Sequence, residues 1–449
     1  MKNLYLITIV LILAIQNAIA QEQSKSEHVI LISIDGFRPN FYQESKWPAP
    51  NLKNMAKEGV SANGVRGIFP SVTYPSHTTL ITGAFPATHG IYYNSPFEEK
   101  GQTGKWYWER SLIQTETLWD AVRKVGKTSA SFIWPVSVEA AIDYNIPEVW
   151  TLDRDYGRIE PMRDHETPKG LLEEMETAVL GEMNEDTFNG DNLTREDRTG
   201  EMAAYVLAKY KPNLMTVHLI ATDHFQHEQG RNGKKVHTAI AAVDRAIGKI
   251  IEAAEKSNIL DKTTFIITGD HGFVDIHSAL NPNIWLVEEN LMESKNNRGD
   301  WKATFHTQGA SAFLHLKDKN DKITLSKIRE KLNSLPNSVK KLFRIVEKEE
   351  LTSIGADPNV VLALNPIPGV AMSGGFSGDV LTKRSGGTHG YFPDFHQIET
   401  GFITWGAGIS EGKVISKLGL EDIAPIISEL LNLNFNSKDG VLFPGILKD

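Results

Sequence analysis

This chain predicts an α/β fold with a mostly parallel central sheet, helices on both faces and a smaller inserted lobe. Three observations point there. Continuous apolar runs such as HVILISI (28–34) and TTFIIT (263–268) read as strands buried on both faces. Helix-period stretches alternate with them. Between 280 and 385, strand and helix signals mix after the last clear core strand, as an insertion would before the fold resumes at Thr388.

The elements follow in order. In residues 1–20 Lys2 is the only charge, an apolar run covers 4–15, and Ala18-Ile19-Ala20 precedes Gln21. That order reads as a secretory signal peptide cleaved after Ala20, so the protein is expected to be exported, periplasmic or secreted. The apolar run is too short to span a bilayer comfortably, and nothing after residue 21 has the length and apolarity of a spanning helix. Residues 28–34 form the first strand. Residues 50–58 form a helix with Pro50 at its start and Gly59 just past its end. Residues 60–69 read as the next strand, 76–82 as a helix closed by Gly83, 115–125 as an amphipathic helix and 128–134 as a strand. The acidic, turn-rich stretch 150–200 reads as a surface excursion. Residues 213–220 form a strand. Residues 236–254 form a helix with Val236, Ile240, Val243, Ile247 and Ile251 on one face. Strands at 263–268 and 401–405 and a helix at 422–433 complete the chain. The predicted division is a leader at 1–20, a main domain at 27–279 resumed at 386–449, and a lobe at 280–385.

Composition narrows the function. The 449 residues carry a net charge of −9, which argues against the broad basic surface of a duplex nucleic-acid binder. A small phosphorylated substrate is still allowed, because a metal can supply positive charge locally. The absence of cysteine closes off disulfides, thiolate ligands, a cysteine nucleophile and a lipid-anchored lipoprotein.

Three strands run into acids: HVILISI into Asp35, NLMTVHLIAT into Asp223, and TTFIITG into Asp270. In open α/β sheets ligands bind beyond the carboxyl ends of strands, so these carboxylates are expected to share a crevice. Asp223 and His227 are four apart and face one way on a helical turn. Asp270 and His271 are adjacent and flanked by glycines, and His389 lies in a Gly-Gly-Thr-His-Gly loop. Carboxylates and imidazoles without thiolates suit zinc or a similar divalent ion, and six ligands exceed the needs of one tetrahedral site. Two ions are therefore expected, the known clamp for phosphoryl chemistry. Thr73, ahead of the 76–82 helix, reads either as a plain N-cap or as a nucleophile whose hydroxyl a metal would activate. Asn94 reads either as a turn residue or as an uncharged donor to a phosphate oxygen.

In order and content these pieces resemble the nucleotide pyrophosphatase/phosphodiesterase family of the alkaline-phosphatase superfamily. The resemblance rests on IDGFRP, FPSVTYPSHTTLITGAFPATHGIYYN, FIWP, TDHFQH, ITGDHGF, GTHGYFP and LEDIAPIISELL, which together span 28–433. It implies an alkaline-phosphatase-like fold and a Thr73 nucleophile. It implies one zinc on Asp35, Asp270, His271 and Thr73, and another on Asp223, His227 and His389. Asn94 matches the family's phosphate-oxygen donor, and Tyr74 an aromatic that stacks on a substrate group. Two departures, Val136-Ser137 after Trp134-Pro135 and Tyr93 before Asn94, bear on the substrate pocket.

The expected activity is a two-zinc phosphodiesterase or nucleotide pyrophosphatase working through a phosphothreonine, with a small phosphodiester or nucleotide as substrate. An alkaline phosphomonoesterase with the same metals is the alternative, and a non-catalytic zinc-binding protein a more distant one. Sulfatases need a modified C/S-x-P-x-R motif absent here, and phosphoethanolamine transferases need spanning helices.

Overall fold

The apolar run HVILISI becomes the centre of the molecule because every one of its seven positions is buried. Each fully buried aliphatic side chain there stabilises the fold by roughly 1.5–3 kcal/mol relative to exposure. Residues 24–153, 157–294 and 299–448 are described by the computed structural model; the leader expected at 1–20 lies outside them. In chain order the principal elements are β1 (His28–Ile34), α1 (Pro50–Glu58), β2 (Val60–Ala62), α2 (Thr73–Thr82), α3 (Leu118–Lys124), β3 (Ser129–Phe132) and β4 (Tyr144–Ile146). They continue with α4 (Asn192–Tyr210), β5 (Leu214–Leu219), α5 (Ala221–Gln229), α6 (Lys234–Lys256) and β6 (Thr263–Thr268). Next come β7 (Ala303–Gln308), β8 (Ser311–Leu316), α7 (Lys322–Ser334), β9 (Phe343–Glu347) and β10 (Leu362–Pro366), then β11 (Phe402–Gly406), β12 (Lys413–Ile415) and α8 (Ile423–Leu431).

The main sheet has eight strands among the described residues, in the order β12-β2-β11-β6-β1-β5-β3-β4. The neighbours β6, β1 and β5 pair in parallel. Only β11 runs against the rest, antiparallel to both β6 and β2. Helices pack on the sheet, α4 on β5 and α8 on β1. A second sheet, β7-β8-β10-β9, is antiparallel and carries its own apolar cluster, which includes Trp285, Trp301, Phe305 and Leu314.

Three expectations change. The strand read over 60–69 is two short pieces, Val60–Ala62 and Val65–Arg66, because Gly64 and Gly67 interrupt it. The helix read from 76 begins at Thr73, with Val72 in the cap position. The stretch 150–200, of which 154–156 lie outside the described residues, is mostly helical rather than irregular. It includes Ile159–His165, Leu171–Met175, Glu185–Asn189 and the start of the nineteen-residue α4. Its acids serve backbone N–H groups: Glu185 accepts from Arg158 and Ile159, and Glu166 from Gly170 and Leu172. Carboxylates at helix starts satisfy orphan donors and favour the positive dipole end, so part of this acidity serves as caps while Glu160, Asp164, Glu173 and Glu182 stay exposed.

Candidate active site

Three parallel neighbours deliver three acids to one rim. Asp35 follows β1 directly, Asp270 lies two residues beyond β6, and Asp223 sits in the first turn of α5 just after β5. Gly36, at φ +69°, turns the chain so that its N–H donates to Asp270 Oδ1 at 3.0 Å. A Cβ there would lie 2.8 Å from Gln226 Nε2, so glycine is what lets the β1 and β6 loops approach α5. On the far side, Gly386 at φ +91° brings its loop against α5; a Cβ would fall 2.0 Å from the His227 carbonyl. That loop carries His389.

The six candidate ligands fall into two sets, Asp35 with Asp270 and His271, and Asp223 with His227 and His389. Within each set one donor atom per residue lies within 4.8 Å of the others. The sets adjoin through a face-to-face pair, His271 on His389, with ring centroids 3.5 Å apart and planes 6° off parallel.

The hydrogen bonds fix which nitrogen faces inward. His227 Nδ1 lies 2.9 Å from the Gly387 carbonyl, His271 Nδ1 3.1 Å from the Gly272 carbonyl, and His389 Nδ1 2.9 Å from the Ser71 carbonyl. A carbonyl only accepts, so each Nδ1 carries the proton and each Nε2 turns its lone pair to the site. These lone pairs then face carboxylates. His271 Nε2 is 3.0 Å from Asp270 Oδ2 and 3.4 Å from Asp35 Oδ1, and His227 and His389 approach Asp223 Oδ1 at 3.3 and 3.6 Å. A cation between them would satisfy acceptors on both sides; without one, burial opposes the protonated form of His227 and Asp223 outweighs it. Asp35 Oδ1, Asp223 Oδ1, Asp270 Oδ2 and His271 Nε2 are all buried without a hydrogen-bond partner, so the donor set fits divalent cations of the zinc type.

Electrostatics repeats the point. Burial, then the Asp270 and Asp223 carboxylates, push the Asp35 carboxyl well above its usual range. Burial also works to raise Asp270, but His271, His77 and His218 outweigh it and hold that carboxyl far below the ordinary value. Asp223 sits at about 2 because His227 and His389 overcome its burial. Burial and then His271 depress His389 to about 3, which keeps its ring neutral and fit to ligate.

Thr73 opens α2, where Val72 in the cap position makes no side-chain cap bond and Pro75 has no N–H to offer. Its carbonyl holds His77 Nδ1 at 2.8 Å, and the same nitrogen lies 3.9 Å from Asp270 Oδ2. Two residues earlier, Ser71 ties this segment to the other set. Its hydroxyl donates to the Tyr391 carbonyl at 3.0 Å and accepts from the Gly390 N–H at 3.1 Å, while its carbonyl takes the His389 bond. Asn94 Oδ1 accepts the Tyr74 N–H at 2.9 Å, so the amide turns its NH₂ donor away from the helix end. Tyr74 requires a correction. Its ring is fully buried against Trp106, centroids 5.0 Å apart, within the main core, and offers no free face for stacking on a substrate.

Sequence reasoning missed several supporting residues. His218 stands inside β5 with Nε2 3.1 Å from Asp35 Oδ2 and Nδ1 3.1 Å from the Ile133 carbonyl. A titratable residue in an apolar run five positions before Asp223 was the available signal. His77 packs on it at 4.2 Å. Glu196 of α4 accepts the Ile220 and Ala221 N–H groups at 2.6 Å, anchoring the start of the helix that holds Asp223.

Residues 29–392 match the model of a family described as type I phosphodiesterase / nucleotide pyrophosphatase. Among curated relatives, mouse ectonucleotide pyrophosphatase/phosphodiesterase family member 3 is 22% identical over 432 residues, 90% of this chain and 42% of its own length. Family member 7 of the rat is 26% identical over 266 residues, 57% of this chain and 52% of that protein. The chain thus spans about half or less of these relatives. Human ectonucleotide pyrophosphatase/phosphodiesterase 5 superposes with a TM-score of 0.64 at 21% identity, covering 92% of this chain and 97% of that one. An inactive form of the murine counterpart in complex with AMP gives 0.65 at 19% identity, with the same coverage. These two likenesses establish the alkaline-phosphatase-like fold.

Proposed function

The chain belongs to the type I phosphodiesterase / nucleotide pyrophosphatase family, and from that premise we propose that it is an exported two-zinc hydrolase that cleaves phosphodiester or phosphoanhydride bonds of small nucleotide-like substrates. The observation that carries the reading is the pair of three-residue donor sets joined at His271 and His389, one tied to the segment that presents Thr73 by the His389–Ser71 bond and the other lying beside it, with Asp270 3.9 Å from His77. Asp35, Asp270 and His271 would hold one ion beside Thr73, and Asp223, His227 and His389 the other. When bound, such cations supply Lewis acidity, neutralise phosphate charge and ease deprotonation of a nearby hydroxyl.

The chain's own residues do the rest. Thr73 Oγ1 attacks phosphorus in line, the opposite P–O bond breaks and the alcohol or phosphate departs, leaving a phosphothreonine. The Thr73 N–H, the one first-turn donor of α2 left without a partner among the described residues, and the Asn94 amide hold non-bridging oxygens where charge develops. Water then displaces Thr73 from the opposite side and restores the hydroxyl. The leader read at 1–20 and the "ecto" in the names of the relatives support an exported location for this chemistry.

Thr73→Ala is expected to lower turnover of a nitrophenyl nucleotide diester by on the order of 10⁴-fold or more, while elemental analysis still finds the metal. Turnover that survives the change overturns the nucleophile. The wild-type rate on that diester should exceed the rate on nitrophenyl phosphate; the reverse order would make the enzyme a monoesterase.

A further inference from the structure

Three residues past Asp35, the Arg38 side chain is 2% exposed and its Nε is buried without a hydrogen-bond partner. The guanidinium lies over aromatic rings, its carbon 4.5 Å from the Phe41 centroid and 5.1 Å from that of Trp47, which stacks in turn on His237 of α6. Of its in-plane donors, Nη2 bonds the Arg231 carbonyl at 2.7 Å. That acceptor is neutral, so the bond leaves the charge unanswered. Arg231, four residues past His227 and partly exposed, brings a second guanidinium close by, whose Nε is likewise buried and unpartnered.

Neither guanidinium forms an ion pair among the described residues. The acids whose charge they feel are engaged elsewhere. Asp275 Oδ1 accepts the Arg231 main-chain N–H at 2.6 Å, and Glu44 accepts the Trp47 indole N–H at 3.3 Å and pairs with Lys46 at 2.8 Å. Burial and then the Arg231 charge lower Arg38 to about 9, against the pull of Asp275 and Glu44. A buried cation without a counter-charge is costly, and a second one beside it adds repulsion. A guanidinium stacked on rings, with in-plane N–H groups unspent, is set to receive an oxoanion along its edge.

We propose that Arg38 and Arg231 form a binding site for a small tetrahedral oxoanion of the phosphate type, separate from the metal centre. Among the described residues neither side chain bonds to Thr73, Asn94 or a candidate metal ligand. Arg231 opens the site to solvent. Arg38 belongs to the loop of Asp35 and Arg231 follows the helix of Asp223 and His227, so the anion would bridge the segments that carry the two donor sets. The site does not depend on the phosphodiesterase reading.

Equilibrium dialysis against labelled inorganic phosphate counts the sites in the wild-type protein with its metals and in Arg231→Met, at metal contents matched by elemental analysis. Phosphate held at the metal centre is common to both proteins and subtracts out, so the wild type should bind one more phosphate per chain. Equal counts overturn the site. Arg231→Lys keeps the charge but loses the planar fork, and should bind the additional phosphate about tenfold more weakly than the wild type. This second variant carries the test if the methionine variant does not fold, and wild-type affinity in it overturns the site.

Discussion

Buried at the back of the first metal set, His218 meets an acceptor on each side, the Asp35 carboxylate and the Ile133 carbonyl. Its ring braces Asp35 so that Oδ1, not Oδ2, faces His271. Such outer partners fix ligand orientation, and their loss commonly weakens metal binding 10–100-fold. His218→Phe keeps the ring volume and removes the bond, so chelator competition should show zinc affinity about 10–100-fold lower. Unchanged affinity would reduce His218 to packing. At this scale the grouping of the six candidate residues was legible: acids at strand ends, a histidine one helical turn on, and glycines that permit tight turns. Residues that act through another residue were not, since a lone histidine in an apolar strand carries no spacing signal. Tyr74 was misread for a related reason. Its neighbour Trp106, itself packed on Trp150, is distant in sequence, and only the fold reveals that it lies against the Tyr74 ring.

Helices with clear local signals were read closely; α1 runs from Pro50 to just before Gly59. What fixes their starts is often remote. Asp244 of α6 accepts the Asn51 and Leu52 N–H groups of α1, and Glu196 of α4 does the same for α5. No local pattern encodes a cap that arrives from another helix. The Glu196 cap has a measurable consequence. Burial pushes its carboxyl up to about 7, against the opposing pull of the two backbone donors. The folded state therefore binds this proton more tightly than the unfolded chain, whose carboxyl titrates near 4.5. The stabilisation is fully present below pH 4.5 and is lost as pH rises through about 7. Glu196→Gln, which keeps an acceptor and cannot ionise, should gain on the wild type by up to about 3 kcal/mol across that window. Chemical denaturation of both proteins at pH 5 and pH 8 checks this; a difference that does not change with pH would contradict it.

Across the whole molecule, the break in the α/β rhythm after 280 coincides with the separate antiparallel sheet β7-β8-β10-β9, here called the lobe, but the packing of that sheet behind the site was not legible. Phe313 of β8 packs on Phe69 at 5.1 Å and on Tyr93 at 5.2 Å, and Phe69 packs on Phe392 at 5.1 Å. Those three partners lie four residues before Thr73, one before Asn94 and three after His389. Phe313 thus packs directly behind the segments of Thr73 and Asn94, and through Phe69 reaches that of His389. Phe313→Ala is expected to cost about 3–5 kcal/mol in urea unfolding and to lower kcat of the protein that remains folded. Normal turnover with only a stability loss would make the lobe an appendage. The Ser71 bonds span 318 to 320 positions of sequence to reach His389, Tyr391 and Gly390. Anyone transplanting the 69–77 loop to another scaffold, or splitting the gene into complementing halves, would have to carry 389–392 along, because the two segments are inherited as one part.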